Sequence, residues 1–211
     1  FELGKLYFAQ LDLASAEKEC RRAREAGLPA STVNPMIARA LLGQREYQRV
    51  LDELPAPTDN TPDSVTLQAL RAAAALGLGQ TEEARKTLQH ASQSASDNID
   101  VHLALAQLAL ADRDAAQAMQ HLEQALKIDP GHIESLSLKG DLLRVTGKSD
   151  EATLIYREIT RIDPRQINAR LALANINIAG NKLDDARMEV DAALKVMPNN
   201  LQARYTQALI S

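Results

Sequence analysis

The side chains that could carry acid-base or metal chemistry in this chain lack the spacing that such chemistry needs. None of the histidines stands at the interval from a glutamate that helical zinc sites use; they are His90, His102, His121 and His132. Acidic residues are interleaved with basic ones, as in residues 82–86, which is typical of solvated helix faces with local ion pairs. The sequence contains no glycine-rich phosphate loop and no nucleophile elbow. We therefore predict a noncatalytic protein that needs neither a metal nor another cofactor.

The charge and composition of the chain narrow the choice of partner. With 28 acidic and 24 basic residues the net charge is −4, and no cluster of lysine or arginine stands out. Aromatic residues, which would stack on bases, make up only 3% of the chain. Both observations argue against nucleic acid or an anionic lipid surface as a partner. No apolar run is long enough to span a bilayer, and the single cysteine, Cys20, cannot form an internal disulfide.

Small residues return every 34 positions in two series, called here the first and the second phase. The helices that these series predict must hold all other side chains in place. The first phase comprises Gly4, Ala38, Ala72, Ala106, Gly140, Ala174 and Ala208. The second comprises Ala16, Val50, Ala84, Ala118, Ala152 and Ala186, and large apolar residues such as Leu88, Leu122, Tyr156 and Val190 follow it four positions later. Two helices approach closely only where no bulky side chain stands between them. The spacing therefore predicts a stack of helical hairpins with small residues at the crossings.

The most regular part of the chain resembles the tetratricopeptide repeat. The match rests on Leu105, Ala106, Ala109, Ala118, Leu122, Ala125 and Pro130, and on Gly140, Leu143, Ala152, Tyr156 and Pro164. The resemblance implies an all-α fold, a right-handed superhelical solenoid of antiparallel helix pairs whose first helices line a concave groove. The chain departs from the pattern at Arg71 and Lys139, which replace a leucine, at Pro57, which replaces an alanine, and at Asn177 and Ser211, which replace apolar or aromatic residues.

The repeat phase predicts the domain boundaries. We expect a partial repeat at 1–30, an irregular repeat at 31–64 with a proline-rich loop at 55–62, full repeats at 65–98, 99–132, 133–166 and 167–200, and the first helix of a truncated repeat at 201–211. The opening helices are predicted at 1–10, 14–27, 33–43 and 46–54, with glycines such as Gly43, Gly77, Gly79 and Gly147 between helices. The proline-rich loop is either a hinge or binding loop, or a drifted repeat end. Because the first and last of these repeats are incomplete, we expect the sequence to be a piece of a longer array.

An apolar stripe is predicted along the concave groove of the early repeats. It consists of Phe8, Leu42, Leu76, Leu110 and Ile178, and is interrupted by Arg144. Such a stripe could grip an apolar partner segment, or these leucines could pack against neighbouring helices. Arg39 and Arg144 would be the cations that hold a peptide carboxylate if the chain is a peptide receptor.

A polar groove end is predicted in the later repeats. Glu134, Asp141 and Arg144 share one helix face, Asn168 and Asn175 take the first two of these phases in the next repeat, and Gln202 and Leu209 follow. These side chains could bind a peptide backbone or a sugar chain through amide and charged hydrogen bonds. Alternatively they form a solvated inner face with an Asp141–Arg144 ion pair.

Several segments also resemble a narrower group, the TPR lipoproteins of the exosortase and PEP-CTERM sorting system in Gram-negative bacteria. They are residues 3–7, 16–19, 26–29, 35–43, 50–54, 140–144 and 200–205. This resemblance implies a periplasmic protein, anchored to a membrane by a lipid upstream of Phe1, that works beside exopolysaccharide production and surface-protein sorting. Cys20 cannot carry that lipid because it lies inside a predicted helix.

Three function classes follow. The first is a noncatalytic scaffold for protein or peptide partners, which could include the polysaccharide machinery of the cell envelope. The second is a cytoplasmic peptide receptor or cochaperone, and the third is the substrate-recruiting arm of an enzyme outside this sequence. Open terminal hairpins also make end-to-end self-association a possible property.

Overall fold

The predicted crossings of two helices, except the one at Ala208, correspond to helical hairpins in the computed structural model. The model describes residues 1–57, 59, 61–94 and 97–210, except the side chain of Ser94. Thr58 and Asn60 of the predicted proline-rich loop, and Ser211, lie outside the described residues. The described residues form thirteen α-helices and no strand. In chain order these are α1 (Glu2–Ala9), α2 (Leu13–Glu25), α3 (Ala30–Gly43), α4 (Tyr47–Glu53), α5 (Pro62–Gly77), α6 (Thr81–Ser94), α7 (Ile99–Ala111), α8 (Ala115–Ile128), α9 (Ile133–Val145), α10 (Ser149–Ile162), α11 (Ile167–Ala179), α12 (Leu183–Val196) and α13 (Leu201–Leu209).

The helices group into two units. The first, Phe1–Ile128, contains four hairpins in which α1 to α8 pair consecutively, and α5 packs between α3 and α7. In the second, Asp129–Ser211, the hairpin of α9 and α10 packs through α10 on α11, and α13 packs on both α11 and α12. This arrangement confirms the all-α fold class. The predicted opening helices are also present, although α3 begins three residues before the prediction and contains Pro35.

The two phases of small residues lie where helices cross. All six residues of the second phase are fully buried, and Ala38, Ala72, Ala106 and Ala174 of the first are at most 1% exposed. A Cβ atom added to Gly140 would lie 2.8 Å from Cε1 of Tyr156, and one added to Gly4 would lie 2.7 Å from Sγ of Cys20. The small residue of a first helix therefore makes room for the large residue of the second. Cys20 is a core residue, and burial raises the pKa of its thiol.

Ala208, the last residue of the first phase, is exposed. The reason is that the described chain contains no second helix to cover this face of α13. The small residue is thus present without the packing that makes it necessary elsewhere.

The turn inside each hairpin has the same backbone conformation. Positive φ angles recur at Leu11, Arg45, Gly79, Arg113, Gly147 and Asn181. In each turn the amide of the following residue donates to a carbonyl five positions back, as from Asp114 to Ala109, which is the Schellman helix ending. Gly79 and Gly147 therefore serve the predicted role. Gly43 and Gly77 do not, because they are the last residues of α3 and α5 and make room for Leu13 and Tyr47, whose side chains would lie 2.5 Å and 2.9 Å from an added Cβ.

Replacing Arg113 by glycine is expected to stabilise the first unit. Its φ of 62° is unfavourable for a residue with a Cβ and costs roughly 1–2 kcal/mol. Glycine removes this strain, but it loses more conformational entropy on folding, which offsets part of the gain. We expect a net gain of about 0.5–1 kcal/mol in the free energy of unfolding, measured by urea denaturation. Arg113→Ala removes the same charge but keeps the Cβ, so an equal gain in that variant would contradict the explanation.

The proline-rich segment shortens α4 and leaves its end to be capped by another helix. α4 has 7 residues and stops at Glu53, where Leu54 turns to an extended conformation ahead of Pro55. Nη1 of Arg71, on α5, donates to the carbonyl oxygens of Val50 and Leu51 at 3.2 Å and 3.1 Å, and also to that of Leu54. Arg71 therefore replaces the usual leucine because the carbonyls of a truncated helix need a donor. Whether the segment acts as a hinge or binding loop, or is a drifted repeat end, stays a prediction.

Candidate partner-binding surfaces

The predicted apolar stripe of the first unit is mostly engaged in packing. Leu42, Leu76 and Leu110 are half-buried, and the first two pack against buried residues of their own hairpins and neighbours. In the second unit Ile178 likewise packs against a buried cluster. These contacts favour the interpretation that the stripe packs against neighbouring helices. Each leucine leaves only part of its surface exposed to a partner.

Arg39, a predicted groove cation, is paired within the first unit. Its Nη2 atom lies 2.7 Å from Oδ2 of Asp100, and its Nε lies 3.4 Å from Oδ1. Because Arg39 is on α3 and Asp100 on α7, with α5 between them, the ion pair bridges non-adjacent hairpins. A partner carboxylate would have to displace Asp100 to reach Arg39. Asp100 was not singled out from the sequence, although it stands 34 positions before Glu134 and so shares its phase.

Four of the predicted polar residues of the second unit are exposed, and one of them lies close to a histidine. Glu134, Asn168, Asn175 and Gln202 are all exposed, and Glu134 lies 3.4 Å from Nε2 of His132. This face of the second unit is therefore open to solvent.

Asp141 has its predicted ion pair with Arg144 and also a closer partner, Tyr156. It accepts a 2.7 Å hydrogen bond from the hydroxyl of Tyr156. Burial and this bond to a carboxylate raise the pKa of Tyr156. Arg144 stands 3.9 Å from the same Asp141 oxygen, at the limit of ion pairing. Arg144 also acts on the Tyr156 hydroxyl, and about half of its side chain is exposed.

Arg144 and Asn175 meet in one cleft, which the structure places between α10 and α11. The cleft has a volume of about 680 Å³. Its lining residues are Arg144, Ser149, Asp150, Thr153, Leu154, Arg157, Asn175, Ile176, Asn177, Ala179, Gly180 and Lys182. Arg157 and Lys182 were not singled out from the sequence. The sequence does contain a signal for Arg157: the residues 34 positions before and after it, Glu123 and Asp191, carry the opposite charge.

A second group of charges, in the first unit, is satisfied internally. Glu17 is 8% exposed and accepts hydrogen bonds from Arg21 at 2.9 Å, Arg49 at 2.7 Å and Gln44 at 3.1 Å. Both arginines also pair with Glu53. Burial by itself would raise the pKa of Glu17, but the three hydrogen bonds outweigh it and lower the pKa. This network joins α2 to α4 and is structural.

The stability that Glu17 contributes should depend on pH. Its pKa in the folded protein lies below the ordinary value of 4.5, so the contribution is complete above that pH and is lost as the pH falls through the folded-state pKa. We expect Glu17→Gln to lower the melting temperature at neutral pH, and the difference from the wild type to shrink on acidification. Thermal denaturation at a series of pH values tests this. A difference that stays constant down to strongly acidic pH would contradict it.

The histidines do not assemble a metal centre in the described part of the chain. Nδ1 of His102 lies 3.4 Å from Nδ1 of His121, and burial together with His102 lowers the pKa of His121. Among the described residues no group of three or more His, Cys, Asp or Glu side chains could hold a metal ion. Nor does any described helix combine the length and apolar character needed to cross a membrane.

Models of a known repeat family match the middle of the chain. Two tetratricopeptide repeat models match the chain, over residues 69–133 and 109–168. Protein O-mannosyl-transferase TMTC1 of Homo sapiens is 23% identical over 202 residues; the match covers 94% of this chain, which spans 23% of that protein's length.

Solved structures show the same architecture. A thermophilic TPR protein of Thermus thermophilus is 20% identical with a TM-score of 0.65, covering 86% of this chain and 98% of that one. A chain of the APC/C hetero-tetramer Cut9-Hcn1 is 14% identical with a TM-score of 0.74, covering 99% and 41%. YrrB, a TPR protein with an unusual peptide-binding site, is 18% identical with a TM-score of 0.58, covering 90% and 97%. At these identities the likeness shows the fold, which is that of tetratricopeptide solenoids.

Proposed function

Because residues 69–168 match tetratricopeptide repeats and the helices adopt the solenoid fold, we propose that this chain is a noncatalytic scaffold that binds protein or peptide partners. The observation that carries the proposal is the exposure of polar side chains on the first helices of the second unit, where Glu134, Asn168, Asn175 and Gln202 are not needed for packing. Stacked hairpins of this kind offer extended surfaces for binding. YrrB, which has the same fold, is described by its peptide-binding site.

The partners proposed here belong to the exopolysaccharide and PEP-CTERM sorting machinery, and the full-length protein is proposed to be periplasmic and held by a lipid anchor. The support is the resemblance of residues 35–43, 50–54 and 140–144 to lipoproteins of that system. In-cell crosslinking of the native protein followed by mass spectrometry tests the proposal. Enrichment of polysaccharide-synthesis and sorting proteins supports it, whereas enrichment of cytoplasmic chaperones points to the peptide-receptor alternative.

A second candidate, the recruiting arm of an enzyme, is favoured by one observation. The chain matches a limited part of a mannosyl-transferase, spanning 23% of its length. If that candidate is correct, crosslinking will recover substrates of a transferase, and the sequence that flanks this chain will contain a catalytic domain. End-to-end self-association stays a further proposal, supported by the exposure of Leu201 and Tyr205 on α13.

A further inference from the structure

We propose that the cleft between α10 and α11 binds a short acidic segment of a partner protein, one in which carboxylate side chains alternate with apolar ones. The proposal rests on the proposed scaffold function and adds the chemistry of one ligand and its place on the molecule. Three observations support it: the charge of the cleft, its lining and volume, and its difference from the equivalent positions in neighbouring repeats.

The cleft brings together three cations, and two of them form no ion pair among the described residues. Arg157 and Lys182 line it, and neither forms an ion pair among the described residues. Arg144 is the third cation, and Asp150 is the one carboxylate of the lining. The lining therefore carries a formal charge of three positive and one negative group, in a chain whose net charge is −4. An acidic segment complements this charge.

Arg144 pairs with Asp141 at a long distance and acts on the Tyr156 hydroxyl, but both charged side chains are exposed. The hydroxyl of Tyr156 donates to Oδ1 of Asp141 at 2.7 Å, and the guanidinium of Arg144 stays 3.9 Å away from that oxygen. Since ion pairs at such distances on exposed side chains contribute little, a ligand carboxylate can compete for Arg144. Arg39 differs, because its close pair with Asp100 already occupies it.

The remaining lining suits a peptide rather than a small inorganic anion. Leu154 is 66% exposed and lines the cleft together with Ile176 and Ala179, so it offers an apolar surface to a ligand side chain. Asn175 and Asn177 present amide groups that can donate to and accept from a peptide backbone. The volume of about 680 Å³ accommodates several side chains.

Two of the three cations, Arg144 and Arg157, belong to one hairpin and have no cationic equivalent in the neighbouring repeats. At the positions equivalent to Arg157, the preceding and following second helices carry Glu123 and Asp191. At those equivalent to Arg144, the neighbouring first helices carry Leu110 and Ile178. Lys182 differs, because Lys148 is its equivalent in the preceding hairpin. The repeat pattern by itself therefore does not require Arg144 and Arg157, and the meeting of all three cations in one cleft is a local feature.

Fluorescence anisotropy with three labelled peptides tests the proposal. In the first, glutamate alternates with leucine; in the second and third, glutamine and lysine replace the glutamate. We expect the glutamate peptide to bind at least about tenfold more tightly than the glutamine peptide, and more weakly as salt increases. Arg157→Gln combined with Lys182→Gln should weaken its binding about tenfold, and Asp150→Asn should strengthen it.

The matched control removes the same charge elsewhere in the second unit. Lys195→Gln combined with Arg204→Gln lowers the net charge equally, at exposed residues outside the cleft, and should change binding by less than about twofold. Equal weakening in both double variants would overturn the site, because the attraction would then be a property of the unit's total charge. Displacement of the peptide by inorganic phosphate, or binding of single-stranded oligonucleotides instead of the peptide, would also overturn it. Partners that crosslink equally well to the cleft variant would leave the scaffold function intact and refute only this site.

Discussion

Replacing Arg71 by methionine should destabilise the first unit by about 2–4 kcal/mol, the largest effect that we expect of a single substitution. The guanidinium caps three carbonyl oxygens at the end of α4, and methionine would leave them without that donor in a half-buried position. Burial lowers the pKa of Arg71, which reflects how far the charge is removed from water. Chemical denaturation monitored by circular dichroism measures the change.

Lys139→Met is the matched control for Arg71→Met. Lys139 also replaces the usual leucine of a first helix and is half-buried, but the second helix equivalent to α4 is α8, which continues to Ile128 and is not truncated. We expect a change within about 0.5 kcal/mol. If both substitutions had the same effect, the role assigned to the carbonyls of α4 would be wrong. The loss of a basic side chain at this position of the repeat would then explain the result.

Enlarging a small residue at a crossing should have the second-largest effect. Ala106 is fully buried in α7, and Leu122, at the position equivalent to Tyr156, is fully buried in α8. Leucine at position 106 would overpack this crossing at a cost of about 1–3 kcal/mol, and the same is expected of Ala118→Leu and Ala152→Leu. Differential scanning calorimetry should record a lower melting temperature.

The structure supplies the control for the crossing prediction. Ala208 has the same phase as Ala106 but is exposed on α13, so Ala208→Leu should leave the melting temperature nearly unchanged. A similar loss of stability at both positions would mean that the helix propensity or solubility of leucine, rather than packing, sets the effect.

The periodicity by itself determined the stack of helical hairpins, because close helix crossings constrain residue size at fixed intervals, and the resemblance to a known repeat added the solenoid. Gly140 and Tyr156 illustrate this constraint, since a Cβ on the first would touch the ring of the second. The burial of the single cysteine could also be predicted from the repeat, because Cys20 takes the same position as Leu88 and Leu122. Turn glycines were identified less reliably. Arg45 and Arg113 adopt the same left-handed conformation as Gly79, so the hydrogen bonds of the hairpin turn impose this backbone on residues that do not favour it.

Tertiary structure decided which charged and polar groups are already engaged and which are available. Sequence spacing places Arg39 and Arg144 in predicted groove positions without distinguishing them. The fold pairs Arg39 with Asp100 across an intervening helix, and it leaves Arg144 at the edge of a cleft beside Arg157. Such relations join residues on different helices, and their distances depend on how the hairpins pack. Repeat phase fixes the helix face on which a side chain lies, whereas packing fixes which charge it meets there.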